Sequence, residues 1–388
     1  MDFEVIIVGG GIAGIITAIA LSNEGVKLAL IELKSSDILT SLQSDGRAFA
    51  ISQGSWEIFG AFGLQHIFED NAGLIKNIRV CDQDSPLHLD FSDELVDDLP
   101  LGYMIEHNIL VRELYKEALK RDNITLFSGN PYSEVEFLDQ EARIEVGGKK
   151  LTAQLIIAAD GKNSSLRSLA GIEVNTWDYD QIAMVCNVSH QKNHCDTAIE
   201  KFLSRGPFAI LPLAGGFSSS IVWVEHKDIA PIYLAMEKNE FLDHLKERFT
   251  DYLGELEFVN DIYSYPLSCK YAKKFYSKRM ALVADAAHAI HPIAGQGINV
   301  GISDIEAIVN LIKEYRSLGL GIGSKSLLDK YHRLRFNDVM MMVAATDGVN
   351  RLFSNNIGLL KKARTMGLAA LNKIDVVKKY ITKYAMGV

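Results

Sequence analysis

The chain has 388 residues, enough for two or three domains with a sizeable core. It is 48% hydrophobic and 23% charged, as in ordinary globular proteins, and its formal net charge of −9 argues against nucleic acid as a partner. Cys81, Cys186, Cys195 and Cys269 form no C-x-x-C pair and no zinc spacing, so reduced thiols in a cytoplasmic compartment are expected.

Residues 5–21, VIIVGGGIAGIITAIAL, are apolar or small apart from Thr17. The preceding MDFE is acidic, where a signal peptide needs positive charge, and the stretch is marginally short for a membrane span and carries four glycines. It predicts a buried strand at Val5–Val8 and a helix from Ile12 to Asn23. Between them Gly9, Gly11 and Gly14 form Gly-x-Gly-x-x-Gly. Gly9 permits a tight turn, Gly11 lets the backbone approach a pyrophosphate, and Gly14 lets helix and strand pack closely. The helix N-terminus then offers free N–H groups and partial positive charge to phosphates. The next strand, KLALIE, ends in Glu32, 18 residues after Gly14, where an acid accepts hydrogen bonds from a ribose. An acid there favours a free 2′-hydroxyl, hence FAD or NAD over NADP.

Further on, DGRAFAIS (45–52) follows a polar loop and precedes a helix-like run, SWEIFGAFGL. Residues 78–91 alternate like a hairpin with a turn at Asp84 to Pro86, and 108–121 have helical spacing. Strands ITLF, EVEFL, ARIEV and LTAQLIIAAD follow, with Gly147-Gly148 as a hairpin turn. Residues 180–266 read differently: strands QIAMVCNVSH, PFAILPL, SSSIVWVEH and DIYSYPL surround one helical segment, NEFLDHLKERF. Trp223 and Phe208 are expected there as sheet core or pocket wall. The α/β pattern resumes at RMALVADAAH, and helices dominate from about 300 onward. The fold class is therefore α/β with an α+β insert: a Rossmann-like domain, an inserted antiparallel-sheet domain and a helical C-terminus. The expected boundaries are 1–75, 100–175 and 272–345 for the first, 76–99 and 176–271 for the second, and 346–388 for the last.

Two later motifs carry more. IIAADGKNSSLR ends a strand at Asp160-Gly161 and places Ser164 to cap a helix. MALVAD ends in Asp285, at the carboxyl edge where α/β sheets bind ligands. Pro292 and Gly295-Gln296-Gly297 follow, with a helix expected from about Ile298. A glycine loop at a helix N-terminus is a second anion-binding device. One pyrophosphate needs only one, so the second is assigned to another anionic group on the same ligand. A reduced flavin carries such charge near N1 and O2, within reach of backbone N–H groups at Ile298 and Asn299. His288 and His291 lack a nearby third ligand, so no metal site is expected.

Taken in order, the glycine motif with Glu32, then ADGKNSSLR, then ADAAHAIHPIAGQGINVG, resemble the FAD-dependent aromatic monooxygenases of the p-hydroxybenzoate hydroxylase type. HPIAGQGINVGISD, RGPFAILPL (205–213), YPL (265–267), YHRLRFND (331–338), TDGVNRLF (346–353) and the terminal AMG (385–387) are similar, more specifically, to the ubiquinone-biosynthesis hydroxylases. The resemblance spans almost the whole chain. It implies that Gly9, Gly11 and Gly14 line the FAD pyrophosphate and that Glu32 binds the adenosine ribose. Arg47 would lie near the flavin and the nicotinamide entry, with His107 a polar neighbour of the flavin. Asp160 would support both FAD and NAD(P)H, and Asp285 would hold the ribitol. Pro292, Gly295, Gly297, Ile298 and Asn299 would flank the isoalloxazine. The chain departs from the family at Ala284 and at Ala158, where glycines are usual.

The chemistry implied begins with reduction of FAD by NAD(P)H or a separate electron donor. Molecular oxygen then adds at flavin C4a, and the hydroperoxide passes oxygen to the ring of a polyprenylated phenol of ubiquinone biosynthesis. The sequence names no catalytic acid or base. A FAD-dependent dehydrogenase or reductase on the same scaffold, or a non-catalytic flavin-bound subunit of a membrane-associated biosynthetic complex, stay open. Residues 357–388 carry Lys361, Lys362, Arg364, Lys373, Lys378, Lys379 and Lys383 against Asp375 alone, interleaved with apolar residues such as Leu359, Leu360, Leu368, Ile374, Val377 and Ile381. Such a segment reads equally as a solvated helical face or as one docking on a membrane surface or a complex partner. The expected location is cytoplasmic, with peripheral contact at the inner face of the membrane under the second reading.

Overall fold

The first strand, β1 (Phe3–Val8), runs straight into helix α1 (Ile12–Asn23), so the apolar N-terminal stretch is a buried strand and helix. The computed structural model describes residues 1–82, 88–249, 252–353 and 374–388. The expected turn at Asp84 to Pro86, and the tail residues before 374, lie outside the described residues.

The nucleotide-type sheet has a parallel core in the order β19 (Met280–Leu282), β11 (Lys149–Ala158), β1, β2 (Leu28–Glu32) and β8 (Ile124–Ser128). β18 (Tyr276–Ser277) closes one edge antiparallel to β19, while β9 (Tyr132–Phe137) and β10 (Ala142–Val146) fold antiparallel onto β11. β1, β2 and β19 are apolar runs, as strands covered on both faces require. Their core continues into α1, α4 (His107–Ala118), α8 (Gln296–Ser317) and α9 (Lys325–Phe353). Register puts Val8 opposite both Ala158 and Ile31, and Ala158 opposite Leu282. The carboxyl ends are therefore level, and Gly9, Glu32, Asp160 and Asp285 follow or end strands at one edge.

The second sheet runs β20 (His288–Ala289), β17 (Tyr263–Ala272), β12 (Val174–His190), β15 (Ser218–His226), β14 (Gly206–Pro212), β13 (Thr197–Leu203), β5 (Asn77–Asp82), β6 (His88–Ser92), with β16 (Leu256–Phe258) also on β12. Its pairs are antiparallel except β13 with β5, which are parallel. β12 starts at Val174, earlier than its apolar alternation predicts, because its first residues are largely polar and half exposed. A bulge between Asp178 and Gln181, with Asp180 at φ 54°, separates that end from the buried half. On the back face Phe208, Ile210, Ile221 and Trp223 pack against α6 (Ala230–Leu234) and α7 (Lys238–Phe249). Phe208 and Trp223 are thus sheet core rather than pocket wall.

A small antiparallel sheet, β3 (Ala48–Ser52), β7 (Gly102–Glu106) and β4 (Gly73–Ile75), covers part of the opposite, front face, where Ala48, Ala50 and Met104 meet Ala198 and Leu211. The remaining helices are α2 (Ser36–Thr40), α3 (Gln53–Ala61), α5 (Ser165–Leu169) and α10 (Asp375–Met386). Among the described residues no helix is long and apolar enough to cross a membrane.

Candidate functional site

The three predicted glycines of the first turn divide into two roles. Gly9 has φ 102°, and a Cβ there would lie 2.3 Å from the Ala159 carbonyl oxygen. Gly14 backs directly onto the Gly9 carbonyl. Gly11 faces open space, with nothing within 4 Å of a Cβ position, as an approaching phosphate requires. Gly10, which sequence reasoning passed over, is equally constrained. Its Cβ would fall 2.1 Å from Tyr115 Oη, and that hydroxyl donates to the Gly10 carbonyl at 2.9 Å. The run of three glycines was a signal, but its partner 105 residues away was not. Glu32 turns towards the same loop: Oε2 accepts from Gly10 N at 2.7 Å and Oε1 from Lys34 N at 2.9 Å.

At the neighbouring strand end, Asp160 Oδ2 accepts from Ser165 N (2.9 Å) and Leu166 N (3.2 Å), while Ser164 caps the same helix at Arg167 N. The other oxygen, Oδ1, is buried without a hydrogen-bond partner, an acceptor left for something else. Arg167 has a role that its spacing could not reveal. Its buried guanidinium donates to the Ala286 carbonyl at 2.7 Å and the Lys162 carbonyl at 2.9 Å, tying the second motif to the third. Asp285, next to Ala286, is exposed by surface, yet desolvation by the surrounding protein raises its carboxyl above the ordinary value.

Ala284, the position where glycine is usual, adopts φ 51°, the left-handed region. Its N–H is held by Asp304 Oδ2 at 3.1 Å, and its Cβ leaves no room for one on Gly301. A left-handed alanine is strained by about 1–2 kcal/mol relative to its ordinary conformations. Ala284→Gly should therefore stabilise the protein by about 1 kcal/mol, because release of that strain outweighs the extra freedom of glycine in the unfolded chain. A melting temperature equal to or below that of the parent chain would count against the strain.

The third motif departs from expectation in two details. Helix α8 begins at Gln296, two residues before the expected start, with Gly295 as its left-handed N-cap (φ 64°) packed against Ala50. The preceding turn, Ile293–Gly295, runs directly into this helix, so the N–H groups left without a helical acceptor are those of Gly297 and Ile298, whereas that of Asn299 falls within the helix ladder. The Asn299 side chain is also engaged, accepting from Ser52 N at 2.9 Å and donating to the carbonyls of Ala50 (3.0 Å) and Gly295 (3.3 Å). The Asn299 side chain thus fastens β3 to the helix start. Pro292 is exposed at the mouth of this loop. His288 pairs with Asp304 at 2.6 Å, and His291 faces Gln181 Oε1 at 3.2 Å, its imidazole pushed down to about 4 by burial.

Arg47 and His107 converge although 60 residues apart. Both contact Asp45: Arg47 through an ion pair, His107 through Nδ1 at 2.9 Å from Oδ2. Burial works to raise the Asp45 carboxyl, yet His107 and Arg47 hold it well below the usual carboxylate range. Arg47 also lies over the Tyr265 ring, 5.4 Å from its centroid. This cluster sits where β3 crosses the front face of the second sheet.

An open glycine turn, an orphaned acceptor at Asp160, an accessible acid at Asp285 and a helix N-terminus with the N–H groups of Gly297 and Ile298 lie along one strand edge. Their chemistry fits an extended dinucleotide carrying a pyrophosphate, hydroxyls and a ring that bears negative charge. Comparison with known proteins agrees. The family described as "FAD binding domain" matches residues 2–346. The ubiquinone hydroxylase UbiL of Rhodospirillum rubrum is 36% identical over 385 residues, covering 99% of this chain and 89% of that protein. The 3-demethoxyubiquinol 3-hydroxylase of Escherichia coli is 30% identical, covering 99% and 98%. The crystal structure of p-nitrophenol 4-monooxygenase PnpA from Pseudomonas putida superposes with a TM-score of 0.81 at 20% identity, covering 99% and 98%, which shows a shared fold.

Proposed function

The chain belongs to the FAD binding domain family, among its ubiquinone-biosynthesis hydroxylases, and from that premise we propose that it is a FAD-dependent monooxygenase hydroxylating the aromatic ring of a polyprenylated phenol. One observation carries the reading most: three sequence motifs far apart in the chain end their strands at one sheet edge, beside the front face of a second sheet.

FAD, once bound and reduced by NAD(P)H or a separate electron donor, supplies the oxygen activation. The chain's own residues do the rest. Gly9, Gly11 and Gly14 shape the pyrophosphate turn, and Glu32 and Asp285 offer carboxylates to the ribose and ribitol hydroxyls. Asp160 Oδ1 supplies a further acceptor. The N–H groups of Gly297 and Ile298 would meet the charge that gathers on the ring, and the Arg47–Asp45–His107 cluster would lie near it. We assign residues 1–75, 100–175 and 272–345 to FAD and residues 76–99 and 176–271 to the substrate. The test is lipid mass spectrometry of a strain lacking this protein. A prenylated phenol short of one ring hydroxyl should accumulate and disappear on complementation. An unchanged quinone profile, or a purified protein that stays colourless after FAD is added, would overturn the reading.

The C-terminal helix favours peripheral attachment to an anionic bilayer, where such a substrate resides. α10 turns Lys378, Thr382 and Met386 inward and leaves Val376, Tyr380, Ile381 and Tyr384 exposed beside Lys379 and Lys383. An outward apolar stripe flanked by lysines is the pattern of an interfacial helix. Co-flotation with vesicles containing phosphatidylglycerol, lost in Lys379→Glu/Lys383→Glu, tests it; protein that remains at the bottom of the gradient refutes it.

A further inference from the structure

The front face of the second sheet holds an acid that no motif predicts. Glu200 lies at the centre of one cross-strand row, opposite Val80 on β5 and Ala209 on β14, and the row continues through Val222 and Val185 to Tyr263. Its same-face neighbours two residues away locate it. Ala198 packs with Ala50 and Met104 of the covering sheet, and Phe202 packs with Ile293, inside the Pro292–Gly295 loop. At the far end of the row Gly46 rests on Tyr263, with a Cβ position 2.8 Å from its ring. Arg47 follows directly. Three strand spacings, about 14 Å, separate Val185 from Glu200. That row is flanked by the Pro292–Gly295 loop, through Phe202 and Ile293, on one side and by Gly46 and the Arg47 cluster on the other.

This face is otherwise apolar or small near Glu200, with Val80, Ala209 and Val222 around it. The charged and titratable groups facing it are Asp82 from β5, Tyr263 and Tyr265 from β17, and Glu106, Asp45, Arg47 and His107 from the covering layer and its loop. Glu106 is taken by Asn187 at 2.7 Å, and Asp45, Arg47 and His107 by one another. Among the described residues Glu200 has neither a hydrogen bond nor an ion pair of its own. It is only partly buried by surface, yet the surrounding protein strips solvent from its carboxyl and pushes it up to about 7. An unpartnered acid in such a setting is costly and calls for a polar occupant.

We propose that Glu200 is the general base of the hydroxylation, accepting the proton of the substrate phenol as the ring is attacked; this rests on the hydroxylase reading above. The phenol O–H bond breaks and a carboxyl O–H bond forms. The pair left on the phenol oxygen feeds the ring carbon that receives the electrophilic oxygen. One proton and no electrons pass to Glu200. As the ring carbon bonds to the incoming oxygen, the donor's O–O bond breaks; the ring carbon then sheds its hydrogen as a proton, which the departing oxygen takes up, and the proton held by Glu200 returns to the phenolic oxygen as aromaticity is restored. A base with affinity near the working pH suits that transfer, since it is ionised when substrate binds and strong enough to take the proton.

The test is single-turnover hydroxylation of 2-prenylphenol by holoenzyme, photoreduced and then mixed with oxygen, so that no electron donor need be known. For the parent protein the rate should rise with pH along a limb centred near pH 7. Glu200→Gln should lower it about 100-fold, abolish that limb, and leave flavin content and the oxidised flavin spectrum unchanged. Glu200→Asp should restore part of the rate together with the limb, which also keeps the test decisive should the glutamine variant fold poorly. An undiminished rate in Glu200→Gln, a limb that persists without the acid, or a change only in the phenol concentration that half-saturates the rate overturns the base. A parent protein that re-oxidises without forming product overturns the hydroxylase reading instead, and the base with it.

Discussion

Replacing Gly14 with alanine should cost the protein both stability and bound flavin, whereas the same change at Gly11 should cost flavin alone. A Cβ on Gly14 would stand 1.8 Å from the Gly9 carbonyl oxygen and 3.0 Å from its carbon, both main-chain atoms that no side-chain rotation can move aside. Gly9 is itself pinned, its N–H donating to the Ile31 carbonyl at 2.9 Å and its α-carbon set against Ala159. Helix α1 must therefore shift away from β1 or the turn must distort. Overpacking of this kind costs about 1–3 kcal/mol, and here it also displaces the anion-binding turn. A Cβ on Gly11 meets nothing in the protein and intrudes only where a pyrophosphate would lie. Thermal denaturation of both apo variants, with flavin absorbance after reconstitution, separates the cases. Parent-like melting and flavin content for Gly14→Ala would refute the packing role.

Asp304→Asn should destabilise the protein by about 3–5 kcal/mol, the expected penalty for leaving a buried cation without its counter-charge. Asp304 is fully buried. Oδ1 lies 2.8 Å from Arg335 Nε, and Oδ2 lies 2.6 Å from His288 Nε2 and accepts from Ala284 N. Arg335 also pairs with Asp338 at 3.0 Å, but that partner is exposed and its screening by water limits the compensation. Burial tends to raise the Asp304 carboxyl, and His288 and Arg335 more than reverse this, leaving it below the usual carboxylate range. The stabilisation is therefore present above the unfolded-state value of about 4 and is lost as pH falls through the lower folded value. Denaturant melts from pH 7 down to pH 3 should show a steep acid limb in the parent that is shallower in Asp304→Asn. Identical limbs would mean that the buried carboxylate does not carry the acid sensitivity. The same carboxylate braces the Ala284–Asp285 turn, so the variant should also hold flavin less tightly.

Much of the nucleotide half was legible because its logic is local. Strand, turn, helix, strand and acid follow within 32 residues, and each glycine answers to a steric demand that chain geometry alone imposes. Helix α1 has the expected bounds, Ile12 to Asn23. The strands leading to Asp160 and Asp285 were visible as apolar runs, although they end earlier than expected, at Ala158 and Leu282, and Asp285 lies in the short helical turn Ala284–Ala286. Where the periodic signal weakened, the reading failed at the margins. The polar first half of β12 carried no apolar alternation, and the start of α8 was misjudged because glycine-rich helix turns look like loop.

What only tertiary structure decided is which distant groups meet. The Asn299 amide spans to Ser52 and Ala50, about 250 positions away in sequence. Gly10 is constrained by Tyr115, and Arg167 is spent on the Ala286 carbonyl. Ala284 could be flagged as unusual, but its left-handed backbone and the Asp304 bond that holds it could not. Glu200 shows the limit most sharply: in sequence it is one acid in an ordinary strand, AIEKF. Its significance arises from the register of four neighbouring strands and from a covering layer drawn from residues 48–106. The sequence by itself determined the elements and the nucleotide turn, because short-range sterics and hydrophobic period act along the chain. Tertiary structure decided the partners and the lone acid, because desolvation and charge act through space, between residues whose separation in sequence carries no information about their contact.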